Sequence, residues 1–401
     1  MAALLAVDPY LTDWLNLLTR WLHVIAGIVW IGSSFYFIAL DNHLRPPKDA
    51  RDAEEGVGGE SWEIHGGGFY EIQKYTVAPK ELPETLHWFK WEAYTTWLSG
   101  FALMVVLYYL NADTYLIDRD VADLSTGAAI AISVGLLAAA WLVYDGLCRL
   151  LASRPLVLAT LLLGLVTLAA WGIGHLFSGR AVYLQVGAML GTMMVGNVFF
   201  TIIPAHWELV RAKKAGREPD PAANERAKLR SVHNNYLTLP VVFTMISNHF
   251  PFTYGHSYAW LILVVLLVIG AWIRHFFNLR HAGRTVWAIP VTAALAIAVL
   301  AIVIRPEDDP AQAGTQVVPF AQVARIIEER CAACHSEKPT LVDTAPQGVK
   351  LDTPEEINAQ ADAIEQQAVR TDAMPLGNVT EMTQAERDLL GHWLAQGAKI
   401  P

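Results

Sequence analysis

Cysteine is scarce in this chain: three in 401 residues. That excludes a disulfide framework as the source of stability. Charge is scarce as well. Asp, Glu, Lys and Arg make up 17% of the residues, against 54% hydrophobic, and the mean hydropathy is +0.32. A soluble globular chain rarely has this balance, and a disordered one never does. The formal charge of −9 gives no electrostatic reason for binding nucleic acid. The first sixteen residues hold neither Lys nor Arg, so a secretory n-region is lacking. The first apolar helix is therefore expected to serve as an uncleaved signal. No internal repeat at solenoid spacing is present.

What is abundant is apolar sequence in long runs. Stretches near 17–40, 91–110, 126–147, 155–177, 182–205, 233–250, 257–277 and 285–305 each approach the ~20 residues needed to cross a bilayer. The fold class expected is all-α: a polytopic membrane bundle of about eight spans over residues 1–305. A linker rich in proline, glycine and acid, 306–316, leads to a small domain at 317–401. Lys and Arg cluster in alternate loops. The 41–90, 147–154, 207–231 and 274–284 segments are rich in them and the intervening loops poor. The positive-inside rule puts the rich set in the cytoplasm, and with eight spans both termini lie outside it. The C-terminal domain is therefore expected outside the cytoplasm, which in a Gram-negative cell is the periplasm of the inner membrane.

Two of the cysteines form Cys331-Ala-Ala-Cys334-His335, the pattern for covalent attachment of a c-type haem. Each thiol bonds one vinyl group, and the next histidine ligates the iron. Met374, followed by Pro375 in a polar stretch about forty residues on, is the second axial ligand expected; Met382 is its competitor. Thr353-Pro354-Glu355-Glu356 and Thr383-Gln384-Ala385-Glu386 both read as capping boxes opening helices. The segment 317–400 resembles class I cytochromes c. Attachment outside the cytoplasm agrees with the charge-derived topology. Cys148, alone in an apolar setting, is expected to be an inert buried thiol.

Of the thirteen histidines, eleven precede this domain. They fall into an outer layer (His23, His175, His249, His256) and an inner one (His43, His65, His87, His206, His233, His275, His281). Bis-histidine ligation of a b-type haem, another metal site, and proton handling are the chemistries open to such layers. Three inner stretches stand out: Trp62-Glu-Ile-His65-Gly-Gly-Gly-Phe-Tyr70, Leu82-Pro-Glu-Thr-Leu-His87-Trp-Phe-Lys90, and Ser231-Val-His233-Asn234-Asn235-Tyr236 entering the sixth span. The last places amide donors and acceptors at a membrane helix start. Asn197 in the fifth span is a further candidate, or helix-to-helix glue.

These stretches, with LPETLHWFKWEAYTTWLSG, VGNVFFTIIP and HNNYLTLPVVFTMISNHFP and the C-terminal CAACH, together resemble the bacterial membrane-bound urate oxidases (urate hydroxylases) along essentially the whole chain. Leu376, where small cytochromes commonly carry a second proline, is one departure. The resemblance implies oxidation of urate to 5-hydroxyisourate in purine breakdown. Water supplies the oxygen, and electrons pass to the fused cytochrome and on to a terminal oxidase or another respiratory acceptor. On that reading His65, His87 and His233, with Asn234 and Asn235, line the urate site or hold a cofactor serving it. The residues alone imply less: a membrane oxidoreductase feeding an external haem c, an electron-transfer relay, or a transporter or sensor with a fused cytochrome.

Overall fold

The computed structural model describes residues 9–305, 317–371 and 373–401. The linker read at 306–316 lies outside the described residues. Helix α1 spans Pro9–His43 and is followed by the short α2 (Ala50–Glu54) and two antiparallel strands, β1 (Val57–His65) and β2 (Gly68–Tyr75). Helix α3 (Trp91–Leu103) runs on as a π-helical segment to Tyr109, then α4 (Ala112–Tyr115), α5 (Thr126–Leu150) and α6 (Pro155–Ile173). Helix α7 (Gly179–Asn197) passes through a π turn, Val198–Ile202, into α8 (Ile203–Lys214). Then come α9 (Pro221–Ile246), α10 (Pro251–Tyr254), α11 (Ala259–His281) and α12 (Ala288–Val303).

Each of the eight apolar stretches falls on one of these helices. Among the described residues, α1, α5, α6, the α7–α8 run and α11 are long and apolar enough to cross a membrane; α12 is apolar but shorter. Their outward faces are greasy: Leu156 is 83% exposed and Ile302 74%. Water would not tolerate so wide an apolar surface, whereas lipid does. Inside, Tyr183, Phe177, Leu263 and Val182 are fully buried in one contiguous core. Ser125 and Ser178 cap α5 and α7 by accepting from the amides of Ala128 and Ala181. Pro240 sits inside α9, and Gly270 of α11 lets that ring approach, since a Cβ there would lie 3.2 Å from the Pro240 nitrogen.

The 41–90 segment holds the one departure from an all-helical architecture among the described residues. Gly66 and Gly67, at φ +57° and +83°, form the tight turn of the β1–β2 hairpin, which non-glycine residues would resist. The hairpin lies back along α1. Arg45 pairs with Glu60 through the backbone, Lys74 Nζ meets Asp41 Oδ1 at 2.6 Å, and Tyr36 donates to Glu63 Oε2 at 2.8 Å. Its tip therefore stands beside Tyr36, with Trp62, Ile64 and Phe69 exposed.

The C-terminal segment has its own core. Helix α13 (Phe320–Ile326) widens into a π turn ending at Cys331; α14 (Pro354–Ala359), α15 (Ala361–Ile364) and α16 (Gln384–Ala395) follow. Val323, Ile326, Ile327, Leu390 and Trp393 pack together. Both capping boxes form as read: Thr353 with Glu356 and Thr383 with Glu386, with Pro354 opening α14.

Candidate functional site

The α1 C-terminus, the α3 N-terminus, the start of the buried part of α9 and the α11 C-terminus share one end of the bundle, the hairpin end. His233, Asn234 and Asn235 of α9 do come together there with polar partners from neighbouring helices. Asn197 Nδ2 donates to Asn234 Oδ1 and to the Tyr144 hydroxyl, both at 2.8 Å. Tyr144 Oη is 2.9 Å from His233 Nδ1, and Asn234 Nδ2 donates to the Met194 carbonyl at 3.0 Å. Arg230, one turn before Asn234, donates to Asn197 Oδ1 at 3.1 Å and pairs with Asp145 at 2.6 Å. Asn197, Asn234 and Arg230 are all buried. Every strong donor on this side has an acceptor, so it locks α5, α7 and α9 together.

Asn235 faces the other way. Its Oδ1 accepts from Arg274 Nε of α11 at 3.0 Å, while its own Nδ2 is buried with no partner. Arg274 is 3% exposed, and its guanidinium lies 3.7 Å over the Phe35 ring of α1. Among the described residues no carboxylate pairs with it, and its Nη2 is open. Asn278 and His281 follow at four and seven residues, on the same face of α11. Asn278 Oδ1 and His281 Nδ1 are buried and open too. Asn42 and His43 of α1 border this stripe: Asn42 Nδ2 reaches the Asn278 carbonyl at 3.5 Å, and the His43 and His281 rings are 5.4 Å apart. Glu92, at the start of α3, adds an open buried carboxylate oxygen at the same end. Buried polar atoms are nearly always satisfied. Asn235 Nδ2, Asn278 Oδ1 and His281 Nδ1 stay open beside the Arg274 guanidinium, an uncompensated polar stripe where α9 and α11 meet.

The structure does not bring His65 and His87 to this place. His65 ends β1 at the hairpin turn and is exposed; His87 is exposed and packs edge-on against Phe89 at 4.6 Å. The outer-layer histidines have separate surroundings: His175 bonds the Trp171 carbonyl, and His256 accepts from the Tyr258 amide. Among the described residues, the one trio of side chains near enough to share an ion is Asp52, Glu60 and Glu71 on the hairpin. Sequence reading missed Tyr144, Asp145, Arg230 and Arg274. The arginines had been counted as loop charges, although Arg230 and Asn234, four apart, share a helix face.

Neither C-terminal cysteine is in a disulfide. Burial, with Cys334 alongside, pushes the Cys331 thiol up to about 12, and burial raises Cys334 too. Burial thus favours the neutral thiol over the thiolate at both positions. The His335 amide donates to the Cys331 carbonyl at 2.8 Å, and His335 Nδ1 is 3.1 Å from the Val349 carbonyl. A carbonyl only accepts, so Nδ1 carries the proton and Nε2 is left for iron. Met382 is 3% exposed within the apolar core, whereas Met374 is only partly buried. Arg387 holds the Met374 loop by donating to the carbonyls of Met374 and Ala368. Cys331, Cys334, His335 Nε2 and Met374 are the residue types that would hold a covalently attached haem.

The Met374 loop is docked on the bundle at the end opposite the hairpin. Gly377, at φ +56°, lies so close that a Cβ would stand 2.6 Å from the Ile117 carbonyl. Asn378 Nδ2 donates to Asp120 Oδ2 at 2.6 Å and to the Met382 carbonyl at 3.0 Å. Ala373 is buried against the bundle core. Beside this contact is a pocket of about 210 Å³ whose lining includes Tyr115, Arg180, Tyr254, Leu376 and Gly377.

Compared with known proteins, the chain matches no curated protein and no solved structure. A protein-family model, described as urate oxidase N-terminal, matches residues 9–305. That is the whole helical bundle, including the hairpin and both arginine clusters, so the chain belongs to the urate oxidase N-terminal family.

Proposed function

We propose that this chain oxidises urate to 5-hydroxyisourate and delivers the electrons to a haem c held by Cys331, Cys334, His335 and Met374. The observation that carries the reading is the buried guanidinium of Arg274, without a carboxylate and beside open amide atoms, in a chain of the urate oxidase family. Urate is planar and anionic near neutral pH. A guanidinium meets such an anion in plane. Asn235 Nδ2 donates to a ring carbonyl, Asn278 Oδ1 accepts a ring N–H, and the open His281 Nδ1 takes a proton. His233 and Asn234 keep Asn235 in place through Tyr144, Asn197 and Arg230. Urate and water together yield 5-hydroxyisourate, two electrons and two protons. Haem c, when bound, accepts electrons one at a time. From it they pass to a terminal oxidase or another respiratory acceptor.

Under anaerobic conditions urate alone is expected to reduce the haem of the purified protein, with no hydrogen peroxide formed. A haem that stays oxidised while dithionite reduces it would sink the proposal. It would favour a relay or a fused transporter instead.

The membrane arrangement belongs to the same proposal: eight crossings of a bacterial inner membrane, with both termini and the cytochrome segment in the periplasm. The Lys- and Arg-rich loops all lie at the hairpin end, and the docked loop at the other. Reporter fusions after residue 220 and after residue 310 are expected to sit on opposite sides of the membrane. Reporting from one side would mean an odd number of crossings between them has been miscounted.

A further inference from the structure

The hairpin gathers three carboxylates and no cation. Asp52 comes from α2, Glu60 from β1 and Glu71 from β2, and one oxygen of each lies within 4.8 Å of the others. The strand register explains the convergence. Trp62 sits opposite Glu71 and Glu60 opposite Gln73, so Glu60 and Glu71 are diagonal neighbours on one face of the ribbon. Gln73 Nε2 donates to Asp52 Oδ2 at 3.1 Å, which holds α2 against that same face. The basic side chains around it are engaged elsewhere. Lys74 pairs with Asp41, Lys80 with Glu55 and Arg51 with Asp49, while Arg45 Nη1 donates to the carbonyls of Asn42 and Leu44.

Acidic side chains together on a surface are common and by themselves signify solvation. Glu60 is a different case. It is 6% exposed, and among the described residues its carboxylate has neither a hydrogen-bond donor nor an ion pair. A glutamate is almost never buried without a partner. One of its oxygens instead faces the two other carboxylates, whose like charge adds to the cost of burial as water is excluded. Asp52 is half-buried and Glu71 exposed, so the trio keeps a side open to water.

We propose that Asp52, Glu60 and Glu71 bind one hard divalent cation, calcium or magnesium. Such ions take carboxylate oxygens at about 2.0–2.6 Å, so oxygens sharing one ion stand at most about 5 Å apart. The trio falls within that span. A donor set of oxygens alone, without imidazole or thiolate, selects calcium or magnesium over zinc or copper. The ion supplies the positive charge that the burial of Glu60 lacks, and it clamps α2 to both strands of the hairpin. This site is independent of the urate reading, because it holds the hairpin whatever the stripe on α11 binds.

The test uses the full chain in detergent, stripped with a chelator and transferred to buffer free of divalent ions. Calorimetric titrations with calcium chloride and with magnesium chloride, run separately, are expected to show a single saturable site with Kd below about 1 mM for at least one ion. The tighter of the two identifies the occupant. Glu60→Gln keeps the size of the side chain and removes one of the three charges, and Glu71→Gln does the same at the exposed position. Each should weaken binding at least tenfold, since affinity follows the count of charged ligands. Both should keep the covalent haem and its reduction by dithionite. Terbium, which occupies calcium-type oxygen sites, ties the reading to this place. Trp62 lies on the same face as Glu60 and opposite Glu71, so exciting tryptophan should sensitise terbium emission. Trp62→Phe should remove most of that emission and leave the calorimetric affinity unchanged. Absence of saturable binding by both ions would overturn the site. So would equal affinities in wild type, Glu60→Gln and Glu71→Gln, or terbium emission indifferent to Trp62→Phe.

Discussion

Arg274→Gln is expected to slow urate-driven haem reduction by roughly ten- to a hundredfold or more while dithionite reduction of the haem is unchanged. A hydrogen bond to a charged group contributes about 1.5–3 kcal/mol, and each ~1.4 kcal/mol is a factor of ten. Most of the loss should appear in KM, because the guanidinium holds the anion before and during the reaction. Arg274→Lys keeps the charge but loses the planar fork, and should fall between wild type and Gln. Asn235→Ala removes one open donor and should cost roughly tenfold. The second buried arginine is the control for mere structure. Arg230 is fully paired, so Asp145→Ala strands a buried cation and should lower stability by about 3–5 kcal/mol. If Arg274→Gln behaves like Asp145→Ala, losing stability with KM untouched in the folded fraction, the stripe on α11 is scaffolding and not a binding site.

Cys331→Ala with Cys334→Ala should have the larger effect, abolishing urate-driven electron delivery outright. The double variant has no thiol left to form a thioether, so denaturing electrophoresis stained for haem should show none. Met374→Ala is the graded counterpart. It should keep the covalent haem, lose the long-wavelength sulfur-to-iron band and drop in reduction potential. Met382→Ala should instead lower stability by about 2–5 kcal/mol, as for any large core side chain cut to alanine, and leave that band in place. The reverse pattern in the two methionine variants would move the axial ligand to Met382.

Helical architecture was legible because apolar length is a one-dimensional property. Runs such as 126–147 and 155–177 need no partner to be recognised, and α5 and α6 lie on them. The capping boxes at Thr353 and Thr383 were legible for the same reason, since four adjacent residues contain all the atoms involved. The hairpin was not read, although its Gly66-Gly67 turn is local; what the sequence could not show is its packing along α1 through Arg45, Asp41 and Tyr36. Of the candidate site, the Asn234-Asn235 pair could be singled out as amides at a membrane helix start. That one amide is satisfied and its neighbour is not follows only from which helix each faces. His65 beside three glycines attracted notice for a local peculiarity, which the structure uses to make a turn.

The hairpin also fixes where water ends. Its strands present unpaired backbone amides and carbonyls along their outer edges, and hydrocarbon cannot accept such edges. In a bilayer the tip can therefore reach no deeper than the headgroup layer, with Trp62, Ile64 and Phe69 resting on it as an aromatic and aliphatic float. Because Tyr36 bonds Glu63 near that tip, the last seven residues of α1, about 10 Å of helix, stand clear of the hydrocarbon. Arg274 lies against Phe35, one residue further in. Its charge thus sits at the waterline, and Asn278 and His281 lie above it. An anion approaching from that aqueous side would meet Asn278 and His281 before Arg274, and the side chains that cover those atoms have to move to admit it.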